Sequence, residues 1–222
     1  GMGGMGGGGD GVNWNELETV MERFMWQSYP RHVQNTLFNE DELIPHRRKA
    51  MPERLEKAYD FKAIGDEHFA AGEYREASHN FELAYGMFKY CEKFGQKISL
   101  SDDAASARNR RREEAGGRDD AFTRFWVRVD ALLCSCLVLM AACHVSRKGG
   151  DLDGALAALN EALEVCPSYP AALYRRSQVY ERQARYSEAV SDARAALRIA
   201  AVADAKAAAH LHRHVAKLVQ LR

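Results

Sequence analysis

At 222 residues the chain is long enough to bury a sizeable core, as one extended array or one domain with appendages. Hydrophobic residues make up 46% and prolines number 5, and long Ala-rich stretches with few β-branched runs favour helix over sheet. Lys+Arg and Asp+Glu both total 31, so the chain is not a globally basic nucleic-acid binder.

Charge is unevenly spread. From residue 171 to 222 there are ten Lys/Arg against four Asp/Glu, leaving 21 against 27 for the remainder. An excess of six positive charges suits docking of an acidic segment on the C-terminal third, although a solvated helix face gives the same count. The cysteines are Cys91, Cys134, Cys136, Cys143 and Cys166, an odd number with no CxxC pair. Three fall inside an apolar stretch, where a thiol behaves as a small hydrophobe, so reduced thiols and a cytoplasmic location are expected.

In chain order, GMGGMGGGGDG lacks the apolar core of a secretory signal, and residues 1–12 read as a disordered Gly-rich arm. Residues 13–50 read as an N-terminal helical extension. Asn13 would cap a helix over 14–29, with Trp14, Leu17, Val20, Met21, Phe24 and Met25 on one face, and Pro30 would stop it. A polar connection over 31–48 has room for one helical turn near 33–38. Pro52 suits the first turn of a helix ending near Gly72, and a second helix runs from 74 to about 94. Residues 99–120 are polar and predict a mobile loop.

A long helix is expected over 121–147. Its apolar run, 131–145, is interrupted by Ser135 and is too short to span a bilayer comfortably, which predicts a buried helix. Asp151 caps 152–165, Pro167 breaks, Pro170 opens 171–183, Ser187 caps 188–200, and a last helix covers 204–221.

A repeat underlies these elements. Ala155, Leu159 and Ala162 recur 34 residues later as Ala189, Ala193 and Ala196, and an earlier copy is Ala77, Phe81 and Ala84. Small residues, Gly65, Ala141 and Ser177, stand where the first helix of each pair is crossed by the second, and Ala77, Ala155 and Ala189 answer them. Tyr74, Leu152 and Tyr186 fill the wedge at each turn. The pattern resembles the tetratricopeptide repeat, and the lengthened helices around the insertion resemble the three-repeat domains of immunophilin-type co-chaperones. The resemblance implies an all-α, tetratricopeptide-type right-handed helical solenoid of three helix pairs with a C-terminal capping helix. Repeat one covers about 58–94, an insertion 95–120, repeat two 121–167, repeat three 170–200, and the cap 204–221. Leu211, Val215, Leu218 and Val219 would form the cap's inner stripe. Repeat two carries two extra turn residues, since His144 to Ala155 spans 11 positions where His68 to Ala77 and Tyr180 to Ala189 span 9.

No phosphate loop, nucleophile elbow or metalloprotease signature occurs, so neither enzyme activity nor a cofactor is expected. His210 and His214 share a helix face while His212 points away, one ligand pair short of structural zinc. In co-chaperones of the resembled type the first helices line a groove whose carboxylate clamp grips the acidic C-terminal tail of a heat-shock chaperone. Lys62 matches the first clamp position and Arg175 the last, whereas Asp66, Leu139 and Ala171 depart from the other three. Each lost charged hydrogen bond costs about 1.5–3 kcal/mol, so the clamp is expected to be eroded.

The resemblance places Tyr59, Lys62, Asp66, Phe69, Leu139, Ala142, Tyr174, Arg175, Gln178 and Arg182 on the groove, apolar at its centre and basic at its far end. The expected function is a non-enzymatic adaptor or scaffold that binds a protein or peptide, with no nucleic acid and no membrane. Two alternatives stand beside it: a self-associating scaffold whose groove holds its own N-terminal helix, and the helical tail of a larger prolyl isomerase.

Overall fold

The computed structural model describes residues 30–38, 40–89, 121–203 and 205–222, and among these the chain is all-helical. We number the helices α1 (Arg31–Phe38), α2 (Glu40–Arg47), α3 (Met51–Ala70), α4 (Tyr74–Lys89), α5 (Ala121–Ser146), α6 (Leu152–Val165), α7 (Pro170–Arg182), α8 (Tyr186–Ala203) and α9 (Ala205–Leu221). The expected helix over 14–29, the Gly-rich arm and the loop over 99–120 lie outside the described residues.

The local rules act where the sequence carries them. Pro52 occupies the first turn of α3, Asp151 caps α6 by accepting from the Gly154 amide at 2.8 Å, and Pro170 opens α7. Antiparallel pairs α3–α4, α5–α6 and α7–α8 stack in order, and α9 closes the array against α8. Ala77, Ala155 and Ala189 are fully buried at the crossings. At Gly65 the close neighbour is an aromatic ring: a Cβ there would lie 2.6 Å from Cε1 of Phe81.

The three turns share one closure. In repeat one the Glu73 amide donates to the His68 carbonyl, and in repeat three the Arg185 amide donates to Tyr180, each at 2.9 Å. In repeat two the equivalent bond runs from Asp151 to His144, also 2.9 Å, across two more residues. Gly149 (φ +95°) and Gly150 (φ +55°) absorb that surplus in left-handed backbone. Gly72 and Ala184 take the same left-handed role just before the bond in the other repeats.

Three expectations need correction. Residues 31–48 form two eight-residue helices, α1 and α2, rather than a polar connection with one turn. Both lie on α4, and α4 is buried at every position from Phe81 to Phe88. Their signal was weak because much of their hold is polar: Asn35 donates to Glu82 at 2.9 Å, and Arg47 donates to the Gly86 carbonyl. Second, Val219 is 48% exposed, so the inner stripe of α9 is Ala208, Leu211 and Leu218, with Val215 partly covered. Third, Arg124–Ser146 is long and apolar enough to cross a membrane, where the sequence reading took only 131–145. In the fold this stretch is the central helix, with Leu132, Leu133, Cys136, Leu137 and Met140 among the buried core.

Candidate functional site

The first helices of the pairs, α3, α5 and α7, lie side by side, and α9 extends the row. At the C-terminal ends of these helices a cavity of about 520 Å³ opens between them. Its floor is apolar, with Phe69, Ala142, Val145, Leu159, Val179 and Tyr186, and its rim carries Arg175, Gln178, Glu181, Arg182 and Lys217. Phe69 is fixed by an edge-on contact with Tyr74 at 5.4 Å between ring centres.

The rim is electrostatically lopsided. Lys217 of α9 pairs with Glu181 at 2.5 Å, and Glu181 also faces Nδ1 of His214 at 4.0 Å. The nearest described partner of Arg175 is the neutral Oε1 of Gln178 at 3.3 Å, and Arg182 forms no ion pair with a described residue. Both arginines are exposed. Two guanidinium forks therefore stand at the mouth without a carboxylate partner among the described residues, the geometry best suited to bind one.

Helix α9 is tied to α7 by a polar seam. Gln178 donates to the Tyr174 hydroxyl at 2.9 Å, and that hydroxyl lies 2.7 Å from Nε2 of His210. Ser177 donates to the Tyr174 carbonyl at 2.7 Å, which leaves its oxygen to accept from Nε2 of His214 at 2.9 Å. Both imidazoles meet the Tyr174 ring edge-on. Burial holds the His214 imidazole below its ordinary pKa, with Glu181 opposing. His212 is exposed, and no metal-holding cluster of side chains occurs among the described residues.

Of the residues placed on the groove from sequence, the cavity brings together Phe69, Ala142, Arg175, Gln178 and Arg182. The others lie elsewhere. Lys62 is bonded to Asp66 at 2.7 Å on α3, and Tyr59 is 38% exposed beneath the guanidinium of Arg128. Leu139 is half-buried against the core, and Tyr174 is turned toward α9. Sequence reasoning missed Lys217 and Leu221, which α9 contributes to the cavity wall. Their four-residue spacing puts them on one helix face, but only the docking of α9 says which face. Burial pushes the thiols of Cys136 and Cys143 up to about 12, which makes these two poor nucleophiles at neutral pH.

Family models agree with this architecture where the repeats are most regular. Residues 144–183 match a tetratricopeptide (TPR) repeat model, and 170–202 match a second tetratricopeptide repeat model. Residues 144–202 are tetratricopeptide repeats. The fold is similar over a longer stretch: the C-terminal TPR-containing domain of an FK506-binding protein from Plasmodium falciparum superposes with a TM-score of 0.54 at 18% identity, covering 79% of this chain and 94% of that one. No curated protein sequence matches the chain. The tetratricopeptide fold is a protein–protein interaction module, built from helix pairs whose stacking leaves an extended inner surface.

Proposed function

We propose that this chain holds a peptide segment of a partner protein in the groove between α3, α5, α7 and α9, and that it catalyses no reaction. The observation that carries the reading is the cavity, apolar below and rimmed by two arginines without carboxylate partners among the described residues. An apolar floor supplies affinity by burying a side chain, and a few placed polar groups orient the ligand. The reading is co-chaperone-like in architecture with altered specificity. Lys62 and Arg175 stand at two clamp positions, but Asp66 neutralises Lys62, and Leu139 and Ala171 bring no donor.

Ser146 is exposed at the cavity wall, so Ser146→Trp fills the groove without touching the core. An array of random peptides, with both free and amidated C-termini, should retain the wild-type chain and lose the variant, while circular dichroism shows equal helicity. Equal retention of Ser146→Trp, or no retained peptide at all, would remove the groove as the docking surface.

A further inference from the structure

The groove reading leaves open what sequence the cavity selects, and this inference rests on that reading. We infer that the cavity recognises an internal acidic stretch of a partner chain, two carboxylate side chains three residues apart with a large apolar side chain between them, rather than a chain terminus.

The spacing follows from α7. Arg175 and Arg182 are seven residues apart, hence on one face and about 10.5 Å apart along the axis. A peptide in polyproline II form advances about 3.1 Å per residue with three residues per turn, so side chains at i and i+3 share a face about 9 Å apart. That brings two carboxylates onto the two forks. The side chain between them is turned away from the arginines, toward the floor of Phe69, Val145 and Leu159. The acidic preference follows from the rim's own pairing. Lys217 already satisfies Glu181 at 2.5 Å, and Glu181, the only carboxylate among the described rim residues, forms no ion pair with either arginine.

The opposite half of the groove does not offer a place for a terminal carboxylate. Lys62 is held by Asp66 at 2.7 Å, and Arg128 is laid over the Tyr59 ring, 5.9 Å from its centre. Ala171 is exposed and uncharged. A terminus entering there would meet the Asp66 carboxylate, which repels it.

Fluorescence anisotropy on the full chain tests this with a decapeptide bearing fluorescein at its N-terminus and Glu-Leu-Ala-Glu at its centre. Amidated and free-acid forms should bind within about twofold of each other, since no group reads the terminus. Replacing both glutamates by glutamine, or leucine by serine, should weaken binding at least about tenfold. Arg182→Ala should cost about as much as exchanging one of the two glutamates for glutamine, and Arg182→Lys should recover only part of it. Dependence on the free carboxylate, indifference to the glutamine exchange, or a requirement for carboxylates seven residues apart would overturn the inference. If array peptides of other composition bind wild type and not Ser146→Trp, this inference fails and the groove reading stands; if no peptide binds, both fail.

Discussion

His32 of α1 and Glu161 of α6, 129 positions apart, meet at 2.5 Å with 1% and 8% of their surfaces exposed. The same carboxylate accepts from the Tyr85 hydroxyl and from Lys89, so one buried acid joins α1, α4 and α6. An ionised carboxylate can only accept, which places a proton on Nε2 of His32. Burial alone would raise the pKa of Glu161, but His32 and Lys89 reverse this and hold it at about 2.

A folded value near 2 against an ordinary 4.5 means that Glu161 stabilises the fold fully above pH 4.5, and that this contribution fades as pH falls toward 2. Glu161→Gln should therefore lose on the order of 3 kcal/mol at neutral pH in urea unfolding, and the difference from wild type should shrink below pH 4.5. A difference that does not change with pH would mean the carboxylate's charge is not what matters. Glu82 has the opposite sign: burial raises its pKa against the hydrogen bonds from Asn35 and Ser78, so Glu82→Gln should stabilise at neutral pH.

The buried histidines act in a separate window. Burial lowers the pKa of His144, with Asp151 opposing, and of His214. Each favours the fold fully above 6.5 and loses that contribution as pH falls below it, because the unfolded chain takes up the proton first. Unfolding free energy should start to decline near pH 6.5, before Glu161 titrates. His144→Gln should reduce that first decline, leaving the share of His214, and should not change the one below pH 4.5.

Gly65 and Phe81 leave no room for a methyl group. Gly65→Ala should destabilise by about 1–3 kcal/mol, a drop of roughly 2–4 °C in Tm per kcal/mol for a chain of this size. Phe81→Leu in the same chain should recover part of the loss if the clash at 2.6 Å is its cause. Additive losses in the double variant would show that it is not.

Ala184 sits at φ +56°, where Gly72 and Gly150 hold the equivalent turns. A left-handed alanine costs about 1 kcal/mol, so Ala184→Gly should raise Tm by a few degrees despite the added freedom of the unfolded chain. A fall in Tm would show that the alanine methyl makes a stabilising contact.

Leu218 and Val219 are neighbours with opposite fates. Leu218→Ala should cost about 2–5 kcal/mol, since the side chain is fully buried under α8, whereas Val219→Ala should stay within about 0.5 kcal/mol. Comparable losses at both positions would mean that α9 is rotated from its place here.

The periodicity of small residues was enough to read the helix pairs, since a crossing that admits only Gly, Ala or Ser leaves its mark locally. Gly65, Ala77, Ala155 and Ala189 carry that mark, as do the caps at Pro52, Asp151 and Pro170. The bond of Lys62 to Asp66 was legible for the same reason, because four residues on a helix bring two side chains together whatever surrounds them. What the sequence left open depends on contacts between elements distant along the chain. That α1 and α2 cover α4 rests on the single buried side chains of Val33 and Leu43 and on polar bonds to Glu161, Glu82 and Gly86, which have no periodic signature. That Lys217 and Leu221 belong to the cavity, while Val219 faces water, depends on how α9 rolls against α7, a choice made by Tyr174 and Ser177 meeting His210 and His214. Local spacing determines which residues share a helix face. Only packing decides what that face meets.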